Sequence, residues 1–360
     1  MCGGAAAVAT DPYFKQTTLL LHGDGTNGGQ NNTFLDSSTN NFTITRNGNT
    51  TQGTFTPFSQ AAGYWSNAFN GSSTLSAANN AVFQFGTGSY TIEGWIYPTT
   101  TSGSGIEGII ESAPSYSGST AANWAVDFAG PSNAYPGLRF WKNLGGNPAY
   151  NQAISTNAWT HFAMVRDGSN YYCFINGALV YSSTDSSNLS TTASVYVGSW
   201  PSQYYFNGYI SNLRVVKGSA VYTSTFTPST TPLTAITNTS LLTCQSNRFV
   251  DNSANNFTLT PSGTPSVQPF SPFAPTAAYS TSVNGGSGYF DGSGDGLTTA
   301  ATGMPTFAAD FTIGLWVYPT SLATQSTIYE NGTAGAYFLC FLNTAGTLSF
   351  YFNSGTASLN

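Results

Sequence analysis

The chain has 360 residues, a net charge of −6 and a pI of about 4.6, and only 6% of its residues are charged, against about 25% in an ordinary soluble protein. Eight Lys plus Arg cannot assemble the basic patch that neutralises phosphates, which excludes nucleic acid as a partner and argues against an anionic membrane surface. Aromatics at 15% exclude a disordered chain. Solubility therefore rests on hydroxyls, amides and glycine turns, a chemistry common among extracellular and virion fibre proteins.

Met1 to Thr10 lacks the basic n-region of a secretory signal, and no stretch approaches the ~20 apolar residues of a membrane span, so membrane insertion is not expected. A virion protein is released by lysis and needs no signal, which keeps a virion or extracellular location open. The strongest feature is a repeat. Phe34-Leu-Asp36-Ser-Ser-Thr-Asn40-Asn41-Phe42 returns as Phe249-Val-Asp251-Asn-Ser-Ala-Asn255-Asn256-Phe257, an offset of 215 from Asp36 to Asp251. Thr91-Ile-Glu-Gly-Trp95-Ile-Tyr-Pro-Thr99 returns as Thr312-Ile-Gly-Leu-Trp316-Val-Tyr-Pro-Thr320, an offset of 221 from Trp95 to Trp316. The predicted organisation is an N-terminal segment at 1–16, a complete sandwich at 17–234, a linker at 235–240 and an incomplete second copy at 241–360. Nothing in the second copy corresponds to Trp159 through Val221, so exposed apolar strand edges are expected there, to be completed by another chain or by more of the same one.

Inside the first copy, Phe162-Ala-Met-Val165, Tyr172-Cys-Phe-Ile175 and Val195-Tyr-Val197 are β-branched and aromatic runs bounded by Asp167-Gly168, Asn176-Gly177 and Gly198-Ser199, the signature of strands joined by tight turns. No segment carries a helical apolar period. Turns every 8–12 residues predict an all-β sandwich or jelly roll. Cys2, Cys173, Cys244 and Cys340 form no CxxC pair and are read as free thiols, the strand cysteines acting as small hydrophobes.

Trp159-Thr-His161-Phe-Ala-Met-Val-Arg166-Asp-Gly-Ser169, followed by Tyr172 to Gly177, resembles the central hairpin of laminin-G-like, concanavalin-A-like lectin/glucanase domains. Phe206-Asn-Gly-Tyr-Ile-Ser-Asn-Leu-Arg-Val215 resembles their late strand, and Tyr222 to Pro228 the terminal segment of versions found in phage virion and tail-fibre proteins. The resemblance implies two antiparallel sheets of six or seven strands, ligands at rim loops or on the concave sheet, and calcium beside them. It also includes glucanases, so acid pairs matter. The four glutamates, Glu93, Glu107, Glu111 and Glu330, do not form a Glu-x-Asp-x-x-Glu cluster. Glu107 and Glu111 on one strand would point the same way about 13 Å apart, too far for glycosidase chemistry. All four are read as rim or surface charges, and the chain as not an enzyme.

His161 reads as a hydrogen-bonded packing residue. His22 aligns with Cys244, a packing position as readily as a ligand. Calcium, the one cofactor considered, would draw oxygens from Asp36, Asn40, Asp251, Asn255, Asp291 and Asp295; the alternative is that these side chains bond their own turns. The candidate sugar site is the loop Ser199-Trp200-Pro-Ser-Gln203-Tyr204-Tyr205, whose Trp200 is expected to keep an exposed face, with Trp141 contributing from elsewhere; the alternative is that Trp200 caps the sandwich. Trp95 and Trp316 are expected in the core. The expected function is a lectin-like adhesion module for cell-surface or extracellular carbohydrate, working with other virion proteins and as a homo-oligomer; the alternatives are a structural virion module and, last, a glycoside hydrolase.

Overall fold

The computed structural model describes residues 19–21, 34, 36, 38–47, 51–53, 63–99, 105–113, 124–142, 147–190, 192–201, 203–274, 287–290, 292–298, 312–333, 336–352 and 355–359. In chain order the strands are β1 (Thr45–Asn47), β2 (Thr51–Gly53), β3 (Ser66–Asn70), β4 (Thr74–Ala77), β5 (Tyr90–Pro98), β6 (Ile106–Ser112), β7 (Trp124–Ala129), β8 (Gly137–Trp141), β9 (Tyr150–Gln152), β10 (Thr160–Asp167), β11 (Asn170–Ile175), β12 (Ala178–Thr184), β13 (Val195–Val197) and β14 (Asn207–Lys217). There follow β15 (Thr239–Thr243), β16 (Thr260–Ser262), β17 (Ser266–Gln268), β18 (Ser287–Tyr289), β19 (Gly296–Thr298), β20 (Ser326–Thr333), β21 (Ala336–Leu342), β22 (Leu348–Phe352) and β23 (Gly355–Leu359). One 3-10 turn, Ala81–Phe83, is the only helical element among the described residues, and none of their helices is long and apolar enough to cross a membrane.

The chain divides into two compact units: residues 28–30 with 54–285, and residues 1–27, 31–53 with 286–360. The first is an antiparallel jelly-roll sandwich of the concanavalin-A-like kind. One sheet runs β12-β11-β10-β5-β14-β3-β17, with β15 also paired to β14; the other runs β16-β4-β13-β6-β7-β8-β9. Alternation explains the filling. On β10, Phe162 and Met164 enter the core while Ala163 and Val165 face outward into a smaller cluster with Phe174. Ile92, Ile96, Tyr171 and Cys173 from one sheet meet Leu75, Ile110, Trp124, Val126, Phe128, Leu138 and Phe140 from the other. The two turns foreseen at Gly168 and at Asn176-Gly177 form as tight hairpins, with φ of +57°, +49° and +77°, conformations that glycine and asparagine tolerate.

The packing runs across the 235–240 boundary drawn from the repeat. β15, β16 and β17, all from the second sequence copy, pair with β14, β4 and β3 of the first. Leu241, Cys244 and Leu259 join its core, and Phe257 sits on Phe83 with ring centroids 5.1 Å apart.

The tail after β14 closes over the outer face of the eight-stranded sheet. Tyr222 and Phe226 stack at 3.6 Å and cover Phe174. Beneath them Glu93, 0% exposed, accepts from Arg214 Nε at 3.0 Å and Nη2 at 2.5 Å and from the Tyr222 hydroxyl at 2.8 Å, with His161 Nε2 at 3.4 Å. Burial would raise this carboxyl, but the bonds and charges of His161 and Arg214 outweigh it and hold the group low. Glu93 is therefore an internal staple, not a surface charge. His161 packs edge-on against Trp95 and Phe226.

Trp95 departs from its expected place. It is half-buried on the outward face, between His161 and Phe273, because Ile92 and Ile96 take the core parity of β5. Cys173, Cys244 and Cys340 are free and buried, and burial pushes their thiols up. Cys2 and His22 lie outside the described residues.

In the other unit, β1 pairs β19, β2 pairs β18, and β20 to β23 form a four-stranded meander. Phe338, Cys340 and Phe341 are buried there. Trp316, expected in a core strand, is 75% exposed, and residues 312–319 adopt no strand.

Candidate functional site

The seven-stranded sheet has one face in the core and one face away from it. On the away face, β7 presents Ala125 and Asp127, and β8 presents Arg139 opposite Asp127 and Trp141 opposite Ala125. A bulge between Gly108 and Ile110 of β6 resets the parity. Glu107 then stands opposite Phe128, a core residue, whereas Glu111 stands opposite Ala125 on the away face. The expectation that Glu107 and Glu111 point the same way is corrected by this one extra residue. Both are buried, at 6% and 0% exposure, so the surface reading of these glutamates fails too; Glu330 alone of the four is exposed.

The Trp200 loop lies over this face. Trp200 and Gln203 bond each other's backbone in both directions, N to O at 3.0 and 3.2 Å. The Tyr204 carbonyl accepts from Gly108 N at 2.6 Å, and Ser199 Oγ donates to Thr74 Oγ1 at 2.8 Å. Gly108 has to be glycine, because a Cβ there would come within 2.7 Å of Trp200 N and its ring. Trp200 thereby packs on Ala113 and Ala125 and is 2% exposed. The expected exposed face of Trp200 does not exist: the ring is sealed against the away face of the sheet, not set over the end of the sandwich.

Trp141 and Tyr204 pack against Trp200 and remain half-buried, as do Gln203 and Tyr205. The structure thus brings together residues that the sequence places 59 positions apart, from Trp141 to Trp200. Below them Arg139 holds Asp127 with two bonds, Nε to Oδ1 at 2.5 Å and Nη2 to Oδ2 at 2.7 Å, and Trp141 Nε1 donates to Oδ2 at 3.1 Å. The guanidinium lies 5.2 Å from the Trp141 ring centroid.

The electrostatics set limits on the chemistry. Burial pushes Glu111 up to about 10, with the neighbouring Asp127 charge adding to it, so this carboxyl is neutral at physiological pH. Neither of its oxygens has a hydrogen-bond partner among the described residues. Burial also raises Asp127, against the bonds from Arg139, Trp141 and Trp200. Glu107 is pushed up to about 7 by burial, offset by the bond its carboxylate accepts from Asn207 N at 3.0 Å. Glu111 and Asp127 are both 0% exposed, so no substrate reaches the pair. Asp127 and Arg139 went unnoticed in the sequence, although each is the single charged residue of an apolar run, Trp124-Ala-Val-Asp-Phe128 and Leu138-Arg-Phe-Trp141.

The calcium candidates divide differently. Asp36 Oδ1 accepts from Leu20 N and Ser38 N, and Oδ2 from Ser38 Oγ and Phe42 N, all at 2.9–3.0 Å. Asp251 repeats the pattern with Leu242 N, Ser253 N, Ser253 Oγ and Phe257 N at 2.8–3.0 Å. Each carboxylate oxygen already accepts two bonds, and the donors around it repel a cation. These aspartates clamp turns, as the alternative reading holds. Asn255 Nδ2 donates to Thr239 O and Ser240 O, and Asn40 N donates to Ser38 Oγ. Asp295 is half-buried, and Asp291 lies outside the described residues. Among the described residues, no three His, Cys, Asp or Glu side chains converge as a metal site.

Residues 69–221 match the family model of the concanavalin A-like lectin/glucanases superfamily, the span from β3 to the tail that closes the sandwich. No curated protein matches the sequence. Among solved structures, a candidate carbohydrate-binding protein from Bacteroides ovatus is 15% identical with a TM-score of 0.42, over 58% of this chain and 60% of that one. Domain 4 of an extracellular arabinanase from Geobacillus stearothermophilus, solved with arabinotriose, is 20% identical with a TM-score of 0.35, over 52% of this chain and 87% of that one. Domains LG4-5 of the mouse laminin alpha1 chain are 13% identical with a TM-score of 0.30, over 46% of this chain and 47% of that one.

Proposed function

We propose that this protein is a non-catalytic, lectin-like binding module that recognises cell-surface or extracellular carbohydrate on the outer face of the seven-stranded sheet. The observation that carries the reading is the half-buried pair Trp141 and Tyr204, held against Trp200 above the Asp127–Arg139 ion pair. Aromatic faces stack on the apolar face of a pyranose, and nearby polar groups take its hydroxyls. Gln203 and Asn151 supply amides at the rim, Asn151 lying opposite Arg139 on β9. The family match at 69–221 supports a lectin over an unrelated sandwich. The charge-poor, aromatic-rich composition supports a place in a virion or tail fibre, with other virion proteins and further copies of itself as partners.

A structural virion module is the second reading. It is favoured by the burial of Trp200 and by the commitment of Asp127 to Arg139. The glycosidase reading has no support from the site, since Glu111 and Asp127 are sealed from solvent.

A glycan array followed by titration calorimetry on the full chain tests the proposal. Trp141→Ala should weaken the best glycan at least about tenfold, the scale of one stacking contact, while the unfolding midpoint shifts little. Tyr204→Ala should act in the same direction. An array with no binder, or full affinity in the double variant, would overturn the lectin reading in favour of the structural one.

A further inference from the structure

The sequence places two cations beside the stacking ring of Trp141, and the structure commits both of them elsewhere. The strands of the seven-stranded sheet contain a single basic residue, Arg139. The connections at 113–123, 130–136, 142–149 and 198–206, which join β6 to β7, β7 to β8, β8 to β9 and β13 to β14, add only Lys142. Arginine or lysine next to an aromatic platform is what an acidic sugar would need, since a carboxylate or sulfate that loses water must gain a charged partner.

Arg139 is 3% exposed. Its Nε and Nη2 hold Asp127, and Nη1 donates to Asn133 Oδ1 at 3.3 Å, so each guanidinium nitrogen has an acceptor. Lys142 turns to the other sheet. Its Nζ donates to Thr184 O at 2.8 Å and Ser183 Oγ at 3.3 Å on β12, and lies 5.3 Å from the Tyr171 ring centroid. Trp141 Nε1 is held by Asp127 Oδ2, which leaves that indole its ring surface. Asn151 Nδ2 donates to Pro136 O at 2.9 Å, which leaves its carbonyl oxygen for a hydroxyl. The other basic residues of this unit lie away from the face. Arg166 and Arg214 are buried in ion pairs with Asp185 and Glu93. Lys217 Nζ donates to Ala81 O, and Arg248 follows β15 on the eight-stranded sheet.

We propose that the Trp141–Tyr204 face selects neutral glycans, chains of uncharged hexoses or N-acetylhexosamines, and rejects those carrying uronate, sialate or sulfate. The inference rests on the lectin reading of this face and names its ligand class. Ring stacking and amide–hydroxyl bonds carry the recognition, and neither needs an ion. An anion placed there would sit above the Asp127 carboxylate with both nearby cations already engaged, on a chain of net charge −6.

The test is an array of matched neutral and acidic oligosaccharides, followed by calorimetry with the full chain. Pairs include galacto- against galacturono-oligosaccharide, and N-acetyllactosamine against its sialylated and its sulfated forms. The neutral member of the best pair should bind at least about tenfold more tightly than the acidic one. Its affinity should change less than about twofold between about 20 mM and about 500 mM salt, and should fall in Trp141→Ala. Gln203→Lys adds a cation at the rim and keeps the backbone bonds between residues 200 and 203. It should raise binding of the acidic member at least about fivefold at low salt, a gain that high salt removes. An acidic member bound as tightly as its neutral partner by the parent chain would overturn the neutral selection; if Trp141→Ala abolishes that binding, the lectin reading stands without it. An array in which no pair binds would overturn both.

Discussion

Thr91–Thr99 and Thr312–Thr320 differ at only three of nine positions, yet one is the middle of a sheet and the other forms no strand. The first contains most of β5, flanked by β10 on one edge and β14 on the other, with Ile92 and Ile96 fully buried. The second adopts no strand over residues 312–319 and leaves Leu315, Trp316, Val317 and Tyr318 at 46, 75, 51 and 68% exposure. Strand propensity is nearly the same in both, so propensity is not what decides. β10 and β14 flank the first segment, whereas no described strand pairs with residues 312–319. By contrast, the meander β20 to β23 forms in the second copy because each of its strands pairs with the next in sequence.

The sharpest way to break the comparison is at Glu93, whose counterpart is Gly314. Glu93→Ala leaves Arg214 buried without its carboxylate, and removing one partner of a buried pair costs about 3–5 kcal/mol. Urea denaturation of the full chain, followed by tryptophan fluorescence, should show the transition of the first unit moving by that amount. Gly314→Glu should leave the curve unchanged, because Gly314 lies in no strand and outside the first unit.

The opening segments sharpen the comparison next. Leu241→Ala deletes a fully buried side chain and should destabilise the first unit by about 2–5 kcal/mol. Leu19→Ala, at the half-buried counterpart, should cost under about 1 kcal/mol. Equal losses would mean that the two seats bury their guests alike, contrary to the exposures observed.

Much of this was legible in the sequence, and the failures have physical causes. The strands around Phe162, Tyr172 and Val195 and the turns at Gly168 and Gly177 declare themselves through short-range chemistry. The repeat, too, was visible through Asp36 and Asp251. Which body each copy's opening segment would join was not, since cross-strand pairing over such distances leaves no local mark. The bulge at Gly108–Ile110 was equally hidden, and it inverted the facing of Glu111 relative to Glu107. Glutamates usually stay at the surface, so Glu93 and Glu111 were misread where the fold supplies a pairing arginine for one and a proton for the other. Trp200 was misjudged from its turn, because the flat seat at Gly108 that receives its ring lies on a different strand.

Glu111 provides a smaller effect, confined to the first unit. Its pKa rises from 4.5 to about 10 on folding, first through burial and then through the Asp127 charge. The folded state therefore keeps a proton that the unfolded state releases above about pH 4.5. The contribution to stability is complete below that pH and falls away as pH rises toward 10. Glu111→Gln should match the parent near pH 4 and exceed it at pH 8, by roughly 2–4 °C in Tm for each kcal/mol recovered. The meander of the second unit should show no such difference. A parent and variant with parallel pH profiles would show that Glu111 is not held neutral.

The central claim is that the first sandwich is completed by the opening segment of the next copy, and chain length tests it most directly. Residues 1–238 and 1–285 should be expressed side by side and unfolded in urea. The longer chain should show a cooperative transition for its sandwich, whereas the shorter one, without Leu241, Phe257 and Leu259, should aggregate or unfold without cooperativity. A chain of residues 1–238 that unfolds cooperatively at the same urea concentration as the longer one would contradict the account.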